Sequence, residues 1–266
     1  MITILACDTN NIKELLEAAG YTVTTATVGT LTVYKITVNS TTVQVLNPGM
    51  TKVEVAKAIA TLNYAESAPS KIIVTGNCAS ICPVRIGTMA ISTSAVQHDV
   101  DFSAMNLRRG TLPVVHETVF TAGSDLITAA ISAIKSKNYI GRKGRYASGD
   151  QVIDCCIKAE EIRRCFNSYF IDTETGDIGE ICSDFNIPWV SVKGVSNYAN
   201  SKTPCMYEIY SDTANTASLK VALGMLDSLI PAPAPPAPPA TGKASTLELT
   251  SVLAPTSENQ INLKLK

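Results

Sequence analysis

Apolar positions recur along this chain at two periods, and the alternation between them lays out the elements. Short apolar runs predict buried strands over residues 2–7, 71–76 and 187–192. Ile12, Leu15, Leu16 and Ala19 recur at helical spacing, and Gly20 stands where that helix should end. Residues 21–46 are dense in Thr and Val, with turn signals at Gly29 and Asn39-Ser40, which predicts three short antiparallel strands. Helices follow over 52–62, 125–137, 159–169, 174–185 and 216–230, with strand-rich sequence over 86–96 and a strand over 139–146. This order of strands and helices predicts a single mixed-sheet α/β domain with helices on both faces.

After Ile230 the pattern breaks, which sets the domain at residues 1–230. Residues 231–244 are rich in Pro and Ala, the composition of a semi-rigid polyproline-II linker. Residues 245–266 form a tail in which apolar and polar residues alternate as in a strand. Such a tail is either an extension without structure or a segment that adds to the sheet edge of a protein partner.

Composition narrows the function. At 266 residues with 45% hydrophobic content the chain can bury a full core, and a net charge of −1 argues against a general nucleic-acid binder. Arg108-Arg109 and Arg142-Lys-Gly-Arg145 read as solvated turns. With no leader sequence and no apolar run of about 20 residues, an intracellular protein without a membrane span is expected. The eight cysteines, with Cys155 and Cys156 adjacent, lie in apolar segments without zinc-site spacing, so they read as buried reduced thiols, and no metal or cofactor is expected.

Five segments, in order, carry a family likeness. The run "IGTMAISTSAVQHDVD" at 86–101 resembles the "IGDVVIS…HDVD" run of purine nucleosidases and nucleoside phosphorylases, most closely the 5′-methylthioadenosine/S-adenosylhomocysteine nucleosidases. "VTGNCAS" at 74–80, with Asn77, resembles their "TGSAGG" turn; "SGDQVI" at 148–153 resembles "SGDxFI"; "DTET" at 172–175 resembles "EMEx"; "VKGVSN" at 192–197 resembles "VRAISD". The resemblance spans residues 1 to about 230 and implies one domain around a twisted, partly closed mixed sheet, in a homodimer or higher oligomer.

It also implies a chemistry. Releasing a purine from ribose passes through an oxocarbenium-like state, so N7 of the base needs a proton, water needs a base, and the ribose hydroxyls need an acceptor. By the resemblance, Glu174 is the ribose-holding acid, with Thr173 where a methionine usually lies against the sugar and Val152, beside Ile153, where an aromatic residue stacks on the base. Asn197, next to Ser196, occupies the seat of the proton-donating Asp, and Lys193 replaces an Arg. Asn11 occupies the seat of the water-activating Glu, and Asp8, three residues earlier, is the nearest carboxylate in sequence. A carboxamide donates hydrogen bonds but does not transfer a proton. The phosphorylase "GDPxR" signal is absent near the amino terminus, and Arg85 reads as part of a surface turn. Two readings follow: a purine nucleoside enzyme or binder, and an assembly protein built on a nucleosidase fold whose catalytic groups decayed.

Overall fold

In the computed structural model, residues 1–65 and 67–232 are described, so the linker and tail expected at 231–266 lie almost wholly outside the described residues. The strands are β1 (Ile2–Ala6), β2 (Thr24–Val28), β3 (Leu31–Val38), β4 (Thr41–Leu46), β5 (Lys71–Thr75), β6 (Asn77–Ser80), β7 (Met89–Gln97), β8 (Phe120–Thr121), β9 (Gly141–Ser148), β10 (Phe170–Asp172) and β11 (Trp189–Asn197). The helices are α1 (Ile12–Ala18), α2 (Lys52–Tyr64), α3 (Ser124–Ser136), α4 (Cys156–Phe166), α5 (Thr175–Asp184) and α6 (Thr203–Leu229).

The sheet runs β2-β3-β4-β1-β5-β11-β6-β10-β9-β7-β8, and β11 also pairs with β7. That extra pairing closes β11, β6, β10, β9 and β7 into a ring, while β5, β1, β4, β3 and β2 spread from it as an open sheet. The fold is therefore the mixed α/β domain that the sequence pattern predicts, with the partly closed sheet that the resemblance implies. All nine residues of β11 are buried, which suits a strand shared by both parts of the sheet. Gly194 lets α6 lie directly on β11, because a Cβ there would stand 2.7 Å from Cα of Ala214.

The strand meander over 21–46 forms as expected, and its last strand, β4, continues into a parallel pairing with β1. Four expectations change. The last helix begins at Thr203 rather than 216, because Pro204 sits at its first turn and Asn200 and Thr203 exchange turn hydrogen bonds ahead of it. Asn77–Ser80 is a strand rather than a turn, paired with β11 and β10. Arg142 to Arg145 lie on β9, where Arg145 donates to Ser94 Oγ and to the Phe166 carbonyl, so its charge is spent on internal partners. Finally, only Cys7, Cys78 and Cys182 are buried; Cys155, Cys156 and Cys205 are exposed, since they fall in the first turns of α4 and α6 or just before them.

No helix among the described residues is long and apolar enough to cross a membrane.

Candidate active site

Strand ends bring the sequence-marked residues together. The turn after β1, the start of β6, the segment after β9, the end of β10, the end of β11 and the first turn of α6 line one cleft of about 520 Å³, counting its open mouth. Asp8, Asn77, Val152, Ile153, Thr173, Glu174 and Asn197 all line it.

Glu174 sits at the N-cap of α5, is 4% exposed, and holds one fixed posture. Its Oε2 accepts from Thr173 N at 3.0 Å, Thr173 Oγ1 at 3.0 Å and Lys193 Nζ at 2.8 Å. Those bonds converge on one oxygen and leave Oε1 as the acceptor available to a ligand. Lys193, fully buried on β11, is also 2.8 Å from Asp172 Oδ2, so one cation serves two carboxylates. Burial opposes charge on Lys193, but Asp172 and Glu174 overcome it and hold the ammonium well above its usual range. Burial likewise raises the Glu174 carboxyl, and Lys193 counters part of that rise. Lys193 and Ser196 thus stand behind the cleft wall, supporting residues that face the cleft.

Asn197 is oriented by its neighbours. Its Oδ1 accepts from Ala199 N at 3.1 Å and from Thr203 Oγ1 at 3.2 Å, and its Nδ2 donates to Ser196 Oγ at 3.0 Å. The oxygen is occupied, and one N–H remains for a ligand acceptor. Ser196 Oγ in turn donates to Asn77 Oδ1 at 3.1 Å, and Asn77 Nδ2 donates to Asp8 Oδ2 at 2.9 Å. A continuous chain of hydrogen bonds therefore joins Asn197 to Asp8.

The structure separates the two residues considered for water activation. Asp8 takes a left-handed backbone conformation, φ 54°, which a short polar side chain tolerates. That turn faces its carboxylate into the cleft, where Oδ2 also accepts from the Tyr207 hydroxyl and, at 3.4 Å, from Asn215 Nδ2. Asn11 instead lies exposed at the N-cap of α1, outside the cleft, and lines an adjoining depression with Asn10, Asp212 and Thr216 that Asp8 also borders. Its side chain makes no capping bond. Of the two, only Asp8 lines the cleft.

Thr203 and Tyr207 were not singled out from the sequence, because the turn of α6 that carries them precedes the stretch with helical periodicity. The Thr-Pro step at 203–204 was the available signal. Met50 and Gln151 complete the rim beside Val152, which is 74% exposed and offers no aromatic face.

Solved structures share this arrangement of elements. Futalosine hydrolase of Helicobacter pylori superposes with a TM-score of 0.79 at 20% identity, covering 85% of this chain and 97% of that one. The 5′-methylthioadenosine/S-adenosylhomocysteine nucleosidase from Neisseria meningitidis, in complex with methylthio-immucillin-A, gives 0.79 at 24% identity, covering 85% and 98%. An aspartate-to-asparagine variant of the Helicobacter pylori nucleosidase, with 5′-methylthioadenosine in its active site, gives 0.79 at 22%, covering 85% and 98%. At these identities the likeness speaks for the fold. The family model described as the phosphorylase superfamily matches residues 2–229, nearly the whole described domain, and the chain belongs to that superfamily.

Proposed function

We propose that the cleft binds a purine nucleoside and cleaves it slowly or not at all. The ribose diol rests on Glu174, whose Oε1 is free of the bonds that fix Oε2. The base lies toward Asn197, with Ile153 as an apolar wall. The observation that carries this reading is the orientation of the Asn197 carboxamide, which presents an N–H donor to the base and no transferable proton. Loss of one general acid typically costs about 10² to 10⁴ in rate. The Helicobacter pylori variant is a parallel: with an aspartate replaced by asparagine, it holds 5′-methylthioadenosine in its active site.

A second reading rests on Asp8. Its carboxylate lines the same cleft as Glu174 and is hydrogen-bonded by neutral donors only, namely Asn77, Tyr207 and Asn215. It is a candidate base for water, so that hydrolysis survives at a reduced rate. Under the first reading the fold serves as a homo-oligomeric assembly element, with the exposed apolar residues Met50 and Val152 at the cleft mouth and the patterned tail as contact surfaces.

The test incubates the purified chain with 5′-methylthioadenosine, adenosine and inosine, with and without phosphate, and follows free base beside calorimetric binding. Binding with turnover well below about 1 per second is expected, and Asn197→Asp should raise it. Asp8→Asn should abolish any residual hydrolysis under the second reading and change nothing under the first. Turnover of about 1 to 10³ per second by the native chain would overturn the slow-cleavage proposal, and failure of all three nucleosides to bind would remove the ligand assignment.

A further inference from the structure

Behind the rim of the cleft, two carboxylates share the ammonium of one lysine, and a third accepts from its backbone. Lys52, at the start of α2, places Nζ 2.8 Å from Gln97 Oε1, 2.7 Å from Asp99 Oδ1 and 3.7 Å from Asp177 Oδ1. Its backbone N–H donates to Asp150 Oδ1 at 3.0 Å, while Asp150 N donates to Asp99 Oδ2 at 3.1 Å. Gln97 also donates to Glu180. These bonds fasten the start of the segment after β9 to α2 and β7, and that segment supplies Gln151, Val152 and Ile153 to the cleft. The fit at its base is close, since a Cβ on Gly149 would stand 2.9 Å from the His98 ring and 2.7 Å from Asp99 Cγ.

Asp177 is the odd member. It is 3% exposed on α5, yet neither carboxyl oxygen has a hydrogen-bond partner among the described residues. A buried carboxylate with one cation 3.7 Å away and no donor is costly to ionise. We propose that Asp177 is a positioning residue for the cleft, which by competing with Asp99 for Lys52 sets how firmly residues 149–153 are held against α2.

The groups that face it fix the direction. Burial pushes the Asp177 carboxyl up to about 8, Lys52 works against that rise, and Asp172, Asp99 and Asp150 add to it. Glu180, on the same helix, is raised by burial as well, and His98, at the end of β7, is held neutral by burial near and above neutral pH. Below about pH 8 Asp177 keeps its proton and leaves Lys52 to Asp99 and Gln97, so the segment is fastened. Above it, Asp177 becomes a second anion beside Lys52, draws the ammonium toward itself and repels Asp99. The rim then loosens.

The measurement is amide hydrogen exchange over residues 149–155 in the full chain, corrected for intrinsic base catalysis, from about pH 6.5 to about pH 9.5. In the native chain protection should fall about tenfold across that range. Asp177→Asn, a neutral mimic of the protonated acid, should keep protection flat, and Lys52→Met, which keeps the backbone bond to Asp150 but loses the tether to Asp99, should lower it at every pH. Matching profiles for the native chain and Asp177→Asn, or full protection in Lys52→Met, would overturn the proposal. Should Asp177→Asn not fold, isotope-edited infrared spectra of the native chain decide: a protonated buried carboxyl at neutral pH supports the proposal, and an ionised one refutes it. No nucleoside enters the readout, so it stands or falls apart from the proposed ligand.

Discussion

At the scale of single residues, burial decides what each charged group does. Lys193 neutralises Glu174 and Asp172 from a site with no solvent, so Lys193→Met leaves two carboxylates uncompensated. Removing one partner of a buried pair costs about 3 to 5 kcal/mol. Denaturant unfolding should show that loss, and Glu174→Gln on top of Lys193→Met should recover part of it. His98 illustrates the opposite sign of coupling. Burial lowers its pKa to about 4, with Asp99 opposing, against about 6.5 in the unfolded chain. The unfolded state therefore takes the proton first, and His98 costs stability as pH falls from about 6.5 to about 4, a loss on the order of 3 kcal/mol. Asp177 runs the other way: its raised pKa means that stability is lost as pH rises from about 4 to about 8. The two oppose each other in the acid range, so the stability of His98→Gln relative to the native chain should rise as pH falls from about 6.5 to about 4. Thermal unfolding of both chains at several pH values checks this; parallel profiles would remove His98 from the account.

At the scale of elements, the cleft depends on how α6 starts. Thr203 Oγ1 accepts from Asn200 N at 3.1 Å and lies 3.3 Å from the Ile153 carbonyl and 3.2 Å from Asn197 Oδ1. One hydroxyl thus ties the helix start to the cleft wall and to the carboxamide orientation. Thr203→Ala should cost about 1 kcal/mol of stability. It should weaken nucleoside binding more than that stability loss explains, because the Asn197 amide then keeps only its bonds to Ala199 N and Ser196 Oγ and is held less firmly. Paired calorimetric titrations of the native and variant chains measure the effect. Most elements were legible because their apolar period is strong: β1, β5 and β11 are short buried runs, and α3 and α5 begin and end within one residue of the stretches their spacing suggests. The first half of α6 was not legible, since Tyr207 faces the cleft and Glu208, Ile209 and Tyr210 are exposed, so no single apolar stripe marks it.

At the scale of the whole molecule, the described domain accounts for the superfamily match, while the proline-rich linker and patterned tail follow it in sequence. Deleting residues 231–266 should leave the thermal midpoint and nucleoside binding of the domain unchanged. If the tail is an assembly element, the deletion should lower the oligomeric state or abolish partner capture, read by light scattering on size-exclusion chromatography. An unchanged mass and undiminished partner capture would dismiss the tail from assembly. The sequence by itself determined the mixed α/β class, because periods of two and of three to four residues survive in one dimension wherever a face is buried. By resemblance it also marked Glu174 and Asn197 as the residues to examine. Only the tertiary structure decided that Asp8 rather than Asn11 enters the cleft, that Lys193 works behind the wall, and that Lys52 and Asp177 meet across 125 positions of chain. Those outcomes turn on distances of a few ångströms between segments far apart in sequence, and linear spacing carries no information about them.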